Sequence, residues 1–272
     1  MDDERRWSRA FQFAAAVCIF NLALSTVASF GPQIRLTLPG IQFSIGSKFV
    51  LSMLAGLVPA IACLVSYAYT REALKRWKAP LIVYPVAIAI GFLVPFMSYF
   101  GSHYASFPWD YSSRLMLARA FCLNIFLMPL WEEIIWRGCF LERLRSFTSK
   151  PKAIVLSSVA WTAWHAGFLV YLHGEGIPIR VLAVLPLMYF CAGIILAAIY
   201  ELGHRSLWPC VLLHAAFNAS TAVYYTTYDR SSELSSYIAE LIAALVVAGV
   251  LYVIANRNRS TRPQNDEDAS VA

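Results

Sequence analysis

The chain has 272 residues, of which 59% are hydrophobic and 14% are charged, and its formal net charge is +6. Soluble domains carry about 25% charged residues. The composition therefore excludes an ordinary soluble protein and indicates an all-α membrane protein built as a single helix bundle. The basic residues lie mainly in short loops, as membrane orientation requires, so the positive charge indicates a lipid bilayer as the partner and not nucleic acid.

Eight apolar runs along the chain are each close to the length of about 20 helical residues that a bilayer requires. They predict transmembrane helices over residues 11–30, 49–69, 81–100, 112–137, 153–172, 179–202, 209–225 and 235–255. The first run lacks a small-residue cleavage site, so we expect it to be retained as a helix and not removed as a signal peptide.

These helices divide the chain into four regions. Residues 1–111 form an N-terminal three-helix membrane region, residues 112–225 form the bundle that carries the polar motifs, and residues 226–256 form the last transmembrane helix. Residues 257–272 are polar and biased towards Asp, Asn, Ser and Arg, so we expect a disordered cytoplasmic tail.

Lysine and arginine are distributed unequally between the two sides of an eight-span protein. The side with both termini collects 16 basic residues in its flanks, whereas the opposite side has 5. Because basic loops stay in the cytoplasm, we predict that both termini and the C-terminal end of the fourth helix are cytoplasmic. The expected location is the plasma membrane of a bacterium, with the chain as an integral multi-pass protein.

Two adjacent carboxylates and a guanidinium occur where the fourth helix is otherwise apolar. If the segment is helical, Glu133 and Arg137 share a face because they are four residues apart, and Arg137 can neutralise Glu133. Glu132 then points about 100° away from Glu133 and is left for a different task. Ionisable residues at membrane depth are costly and usually serve a function, so we predict a functional role for Glu132. Arg119, deeper in the same helix, has no partner that the sequence identifies.

The fifth and seventh helices carry three further polar residues: His165 on the former, and His214 and Asn218 on the latter. His214 and Asn218 are four residues apart and share a helical face. With a rise of 1.5 Å per residue, all three lie with Glu132 in the cytoplasmic half of the membrane or near its midplane. A single intramembrane histidine is often only an interhelical hydrogen-bond donor, but the whole set together with the carboxylate pair indicates a functional site.

These patterns resemble the motifs of the type II CAAX prenyl endopeptidase and bacteriocin-processing (CPBP, Abi) family of intramembrane proteases. The family motifs are EExxxR, an aromatic residue followed four residues later by His, and HxxxN. The matching positions are Glu132, Glu133 and Arg137, then Trp161 and His165, then His214 and Asn218. Trp161 replaces the usual Phe. The resemblance covers about residues 115–225, under half of the chain.

The resemblance implies hydrolysis of a peptide bond in a membrane-associated peptide or protein substrate, without a cofactor. By this resemblance Glu132 is the general base that activates a water, with His165 helping to position that water. His214 and Asn218 would stabilise the oxyanion, and Glu133 and Arg137 would support the site. The chemistry agrees, because a carboxylate can serve as a general base and an amide or imidazole N–H can donate to a developing oxyanion.

Two alternatives remain open. The first is a zinc-dependent version of the protease, with the metal bound by His165, His214 and a carboxylate, a ligand set that zinc accepts. No HExxH occurs and the six cysteines form no CxxC pair. The second is a non-catalytic membrane protein, either a proton-coupled transporter or a peptide-binding immunity factor. Transporters often show internal repeats, and the sequence shows none.

Overall fold

A computed structural model of the chain describes residues 2–30, 35–37, 44–100, 111–174, 176–227 and 234–257. Its helices in chain order are α1 (Asp2–Phe30), α2 (Ser47–Ser66), α3 (Ala68–Lys75), α4 (Val83–Phe100), α5 (Tyr111–Phe126), α6 (Met128–Glu133), a π-helix (Ile134–Leu141), α7 (Glu142–Arg145), α8 (Lys150–Trp164), α9 (Ala166–Gly174), α10 (Ile179–Leu182), α11 (Leu185–Leu202), α12 (Trp208–Thr227) and α13 (Leu234–Arg257). The predicted tail over residues 257–272 lies outside the described residues, apart from its first residue.

The described residues also contain a short antiparallel hairpin. Strand β1 (Arg35–Thr37) pairs with β2 (Ser44–Gly46), with Leu36 opposite Ile45. It falls within the loop predicted between the first two helices and leaves the predicted class unchanged. The all-α membrane fold is confirmed.

Five helical stretches are long and apolar enough to cross a bilayer: Glu4–Ala28, Arg114–Arg145, Lys150–Val170, Ile179–Leu202 and Leu234–Arg257. Helices α2 and α3 meet at 105° and would add a sixth if they count as one broken span, whereas the apolar part of α4 is shorter. The chain is therefore an integral membrane protein. The count of eight spans and the cytoplasmic termini stay predictions.

The fourth predicted helix, residues 112–137, is wrong in two details. It is interrupted at Leu127, where φ is −81° and ψ is −108° and Pro129 stands in the first turn of α6. Proline has no N–H to continue the helical ladder and clashes with the preceding turn, which explains the break. The helical segment also continues beyond Arg137 to Arg145, so Glu132 lies farther from the end of the segment than the sequence predicted.

Close helix approaches bring the motif-bearing helices together. Helix α11 packs against α8 and α13, and α12 packs against α4 and α5. A Cβ added to Gly193 of α11 would lie 2.9 Å from Ser158 Cβ of α8, and one on Gly91 of α4 would lie 2.7 Å from Ala216 Cβ of α12. Small residues allow membrane helices to approach this closely, so these two glycines fix the spacing around α11 and α12.

Two buried carboxylates tie the helix ends together on the side that was predicted to be cytoplasmic. Arg145 Nη1 lies 2.6 Å from Glu201 Oε1, and Lys150 Nζ lies 3.4 Å from Glu201 Oε2. Arg205 pairs with Glu142, and Lys150 Nζ also donates to the Ala255 carbonyl at 2.6 Å. This network joins the ends of α7, α8, α11 and α13 and thereby holds the helices that carry the motifs.

Candidate active site

The two carboxylates of the first motif end α6, directly before the π-helix. A π-helix has wide i→i+5 hydrogen bonds and is common at functional sites. Here its carbonyls receive side-chain donors from two neighbouring helices. Thr70 Oγ1 of α3 donates to the Gly138 carbonyl at 3.0 Å, and Ser157 Oγ of α8 donates to the Trp136 carbonyl at 3.4 Å. These bonds fix the rotation of the segment, and both Glu132 and Glu133 point into the protein interior, with exposures of 4% and 0%.

Glu133 is held by a cation and by a histidine. Arg137 Nη1 donates to Glu133 Oε1 at 3.1 Å, as the four-residue spacing predicts. His214 Nδ1 lies 2.9 Å from the same oxygen. A carboxylate accepts hydrogen bonds, so Nδ1 of His214 carries the proton and donates. Arg137 Nη2 also donates to the Gly193 carbonyl of α11 at 3.3 Å, so Glu133 and Arg137 connect three segments of the bundle.

Glu132 has a different environment from its neighbour. Its Oε2 accepts one hydrogen bond, from Trp161 Nε1 at 3.1 Å, and His214 Nε2 lies 4.0 Å from the same oxygen. The Arg137 guanidinium lies 5.0 Å from the centre of the Trp161 ring and bonds to Glu133, not to Glu132. The carboxylate of Glu132 therefore has one neutral donor and no cation in direct contact within the described part of the chain.

His165 lies at a break in the fifth predicted helix, between the end of α8 at Trp164 and the start of α9 at Ala166. Its Nδ1 lies 2.8 Å from the Trp161 carbonyl. A carbonyl only accepts, so Nδ1 is protonated and Nε2 presents a lone pair in the neutral ring. The ring of Tyr189 stacks on it, with centroids 4.2 Å apart and an interplanar angle of 24°. The imidazole is thus fixed on both its nitrogen and its face.

The third motif is brought to the same place by α12. The His214 ring lies 5.7 Å from the Trp161 ring, and the His165 ring lies 4.3 Å from it, each edge to face. One indole therefore touches both histidines and the Glu132 carboxylate. Asn218 is half-buried one turn beyond His214 on α12, and its contribution to the site stays a prediction.

Sequence reasoning did not identify two contributions to the site. Trp161 was identified only as a motif position, yet its N–H is the donor to Glu132, and the replacement of the usual Phe by Trp was the available signal. Tyr189 had no signal, because it lies within an apolar run on α11. Arg119 is exposed on the surface of α5 and lies outside the cluster.

The described residues include no group of three His, Cys, Asp or Glu side chains arranged to hold a metal ion. Nδ1 of His214 is hydrogen-bonded to Glu133, and Nδ1 of His165 is hydrogen-bonded to the Trp161 carbonyl. These bonds occupy Nδ1 of each ring and leave Nε2, an arrangement that metal-binding histidines also show, so the zinc-dependent alternative stays a prediction.

One family model matches the part of the chain that carries most of the site. Residues 114–220 match the family model described as type II CAAX prenyl endopeptidase, Rce1-like, close to the range of 115–225 indicated by the motifs. No curated protein matches the chain significantly. The resemblance is confirmed for this part of the chain, and at family level it indicates an intramembrane protease of the CAAX type. Helices α1 to α4 and α13 lie outside the matched residues.

Proposed function

We propose, from the family match of residues 114–220, that the protein is an intramembrane endopeptidase in which Glu132 activates a water. The substrate class is a peptide or protein held at the membrane. The observation that carries the proposal is the unequal pairing of two adjacent carboxylates. Among the described residues, Glu133 bonds to Arg137 and His214, whereas Glu132 receives a single neutral N–H, from Trp161.

This inequality supports different roles for the two carboxylates. Oε1 of Glu133 already accepts hydrogen bonds from Arg137 and His214, so we assign Glu133 the supporting role. Glu132 is buried, accepts no hydrogen bond from Lys or Arg in the described part of the chain, and lies 4.0 Å from His214 Nε2. A general base must take up a proton and return it, which is easier for a carboxylate that no cation holds. Of the two carboxylates, Glu132 meets this condition.

The residues can then share one hydrolysis. Neutral His165 accepts a hydrogen bond from the water through Nε2, while Glu132 removes a proton as the water oxygen attacks the substrate carbonyl. The oxyanion that forms is stabilised by donors, which are worth most in a poorly solvated site. Asn218 donates through its amide. His214 faces the oxyanion with Nε2, the ring nitrogen that its bond to Glu133 leaves available, and donates there when Nε2 carries a proton. Glu132 finally returns the proton to the leaving amine as the C–N bond breaks.

The proposed reaction uses no cofactor. A zinc-dependent version is the second candidate, and full activity of the purified protein after treatment with a chelator would rule it out. We place the site at the cytoplasmic side of a bacterial plasma membrane because 16 basic residues flank that side of the predicted topology and 5 flank the other.

Proteomics of peptide ends in cells tests the proposal. Cells producing the wild-type protein should contain new peptide ends that are missing from cells producing Glu132→Gln at equal abundance. Glu72→Gln, at an exposed position of α3, is the matched control and should give the wild-type set. Identical peptide ends in all three would contradict the protease and favour the transport or immunity role.

A further inference from the structure

Helix α1 lies outside the family match, yet it packs along α8, the helix that ends just before His165. Its side chains meet α8 and α9 at three successive levels. The facing pairs are Cys18 with Ala160, Asn21 with Trp164, and Ser25 with Gly167. The two series of positions increase together, so α1 runs parallel to α8 and α9 and follows them across the break at His165.

The middle contact is polar. Asn21 is 6% exposed, and its Nδ2 donates to the Trp164 carbonyl at 2.6 Å. Trp164 is the last residue of α8 and immediately precedes His165. Carbonyls in the last turn of a helix lack partners farther along the same helix, and a buried polar group without a partner is unfavourable. Asn21 supplies a side-chain donor to such a carbonyl where the fifth predicted helix is interrupted.

The third contact shows how closely the helices must approach. A Cβ on Gly167 would lie 2.7 Å from Ser25 Oγ and 3.3 Å from Asn21 Nδ2. Real Cβ contacts are longer than the first of these distances. Glycine at position 167 therefore permits the approach that brings the Asn21 amide to its acceptor.

The histidine ring depends on the same turn of helix. Its Nδ1 donates to the Trp161 carbonyl at 2.8 Å, and its backbone N–H donates to the Thr162 carbonyl at 3.0 Å. Both acceptors belong to the last turn of α8, and Asn21 binds the carbonyl of the same turn. A change in the direction of that peptide group moves the imidazole relative to Glu132.

We propose that Asn21 is a positioning residue for His165, contributed to the active site by an N-terminal helix beyond the family-matched region. The inference rests on the proposed function for its kinetic effect, since it concerns the orientation of the residue that binds the water. The hydrogen bond itself can be tested without any substrate.

Asn21→Leu removes the donor and keeps the volume. We expect kcat to fall by about two- to tenfold, the effect that one neutral hydrogen bond supports, with KM unchanged. The assay uses a fluorogenic peptide that spans a cleavage site found by peptide-end proteomics. Asn124→Leu is the matched control, because Asn124 Nδ2 donates at 2.8 Å to the Ala120 carbonyl within α5. Hydrogen–deuterium exchange of residues 165–169 should accelerate in Asn21→Leu and not in the control.

Gly167→Ala perturbs the contact from the other helix and covers the case in which Asn21→Leu does not fold. It should lower kcat similarly. Adding Ser25→Gly makes room for the new methyl and should restore part of the activity, because it also removes the 3.5 Å bond from Ser25 Oγ to Asn21 Oδ1. The inference is overturned if kcat of Asn21→Leu equals that of the control, or if exchange rises equally along the whole of α1 and α8. Absence of cleavage by the wild type would instead refute the proposed function, and the exchange measurement would still decide the role of Asn21.

Discussion

Replacing Arg137 by Met tests the buried charge pair that holds Glu133. The two side chains are 1% and 0% exposed and their atoms lie 3.1 Å apart, so water does not screen the change. Met keeps most of the side-chain volume but removes the charge, and of the bonds that the described residues make to Glu133 the one from His214 then remains. Breaking a buried pair by removing one partner costs about 3–5 kcal/mol, so Arg137→Met should lower the free energy of unfolding by that amount.

The double variant Arg137→Met/Glu133→Gln should be more stable than Arg137→Met alone. Glutamine is neutral and its carbonyl oxygen can still accept the His214 N–H, so no uncompensated charge stays buried. The exposed pair of Lys75 and Glu72, with side chains 71% and 56% exposed, is the control. Lys75→Met should change stability by about 1 kcal/mol or less.

Equilibrium unfolding in mixed detergent micelles provides the four free energies of the double-mutant cycle. The cycle should give a coupling free energy of at least about 0.5 kcal/mol, the lower end of the range seen for interacting residues. Equal stability of the single and double variants would refute the reasoning, because Glu133 would then not depend on Arg137.

Three further outcomes are expected. Reporter tags at the N-terminus, beside Arg145 and at the C-terminus should all give a cytoplasmic signal, because the basic flanks cluster there; a signal from the opposite side at Arg145 would refute the orientation. Asn218→Ala should lower kcat about a hundred- to a thousandfold, as loss of one oxyanion donor does in other enzymes, and leave measurable cleavage, whereas wild-type kcat would remove Asn218 from the mechanism. Trp161→Phe should fold, because Phe is usual at this motif position, but should lower kcat about tenfold by removing the donor to Glu132, and an unchanged kcat would show that the N–H is dispensable.

Much of the helical framework could be predicted from apolar runs, but the ends and breaks of helices could not. The fifth helix is predicted to begin at residue 153, yet α8 begins at Lys150, which is 8% exposed. Its charge is satisfied by Glu201 and a carbonyl from distant helices, which local sequence does not reveal. The 105° bend after α2 is likewise unmarked by Pro or Gly. Arg71 bonds the Leu64 carbonyl there at 2.6 Å.

The site was predictable as a set of residues and only partly as a set of contacts. The Glu133–Arg137 pair depends on spacing within one segment, so the sequence predicted it. The bonds from His214 to Glu133 and from Trp161 to Glu132 depend on how separate helices are rotated and spaced. That arrangement is set by close contacts such as Gly193 against Ser158, which no local pattern encodes.

The central claim is that Glu132, and not Glu133, activates the water. The most direct measurement is cleavage in H₂¹⁸O by purified wild type, Glu132→Gln and Glu133→Gln in lipid vesicles, with the folded fraction of each measured alongside. Wild type should place one ¹⁸O in the new carboxyl terminus, because hydrolysis adds one water oxygen there. Glu132→Gln should be folded and give no labelled product, while Glu133→Gln should retain some labelled product in its folded fraction. Full labelling by Glu132→Gln, or a stably folded Glu133→Gln without activity beside an active Glu132→Gln, would contradict the assignment.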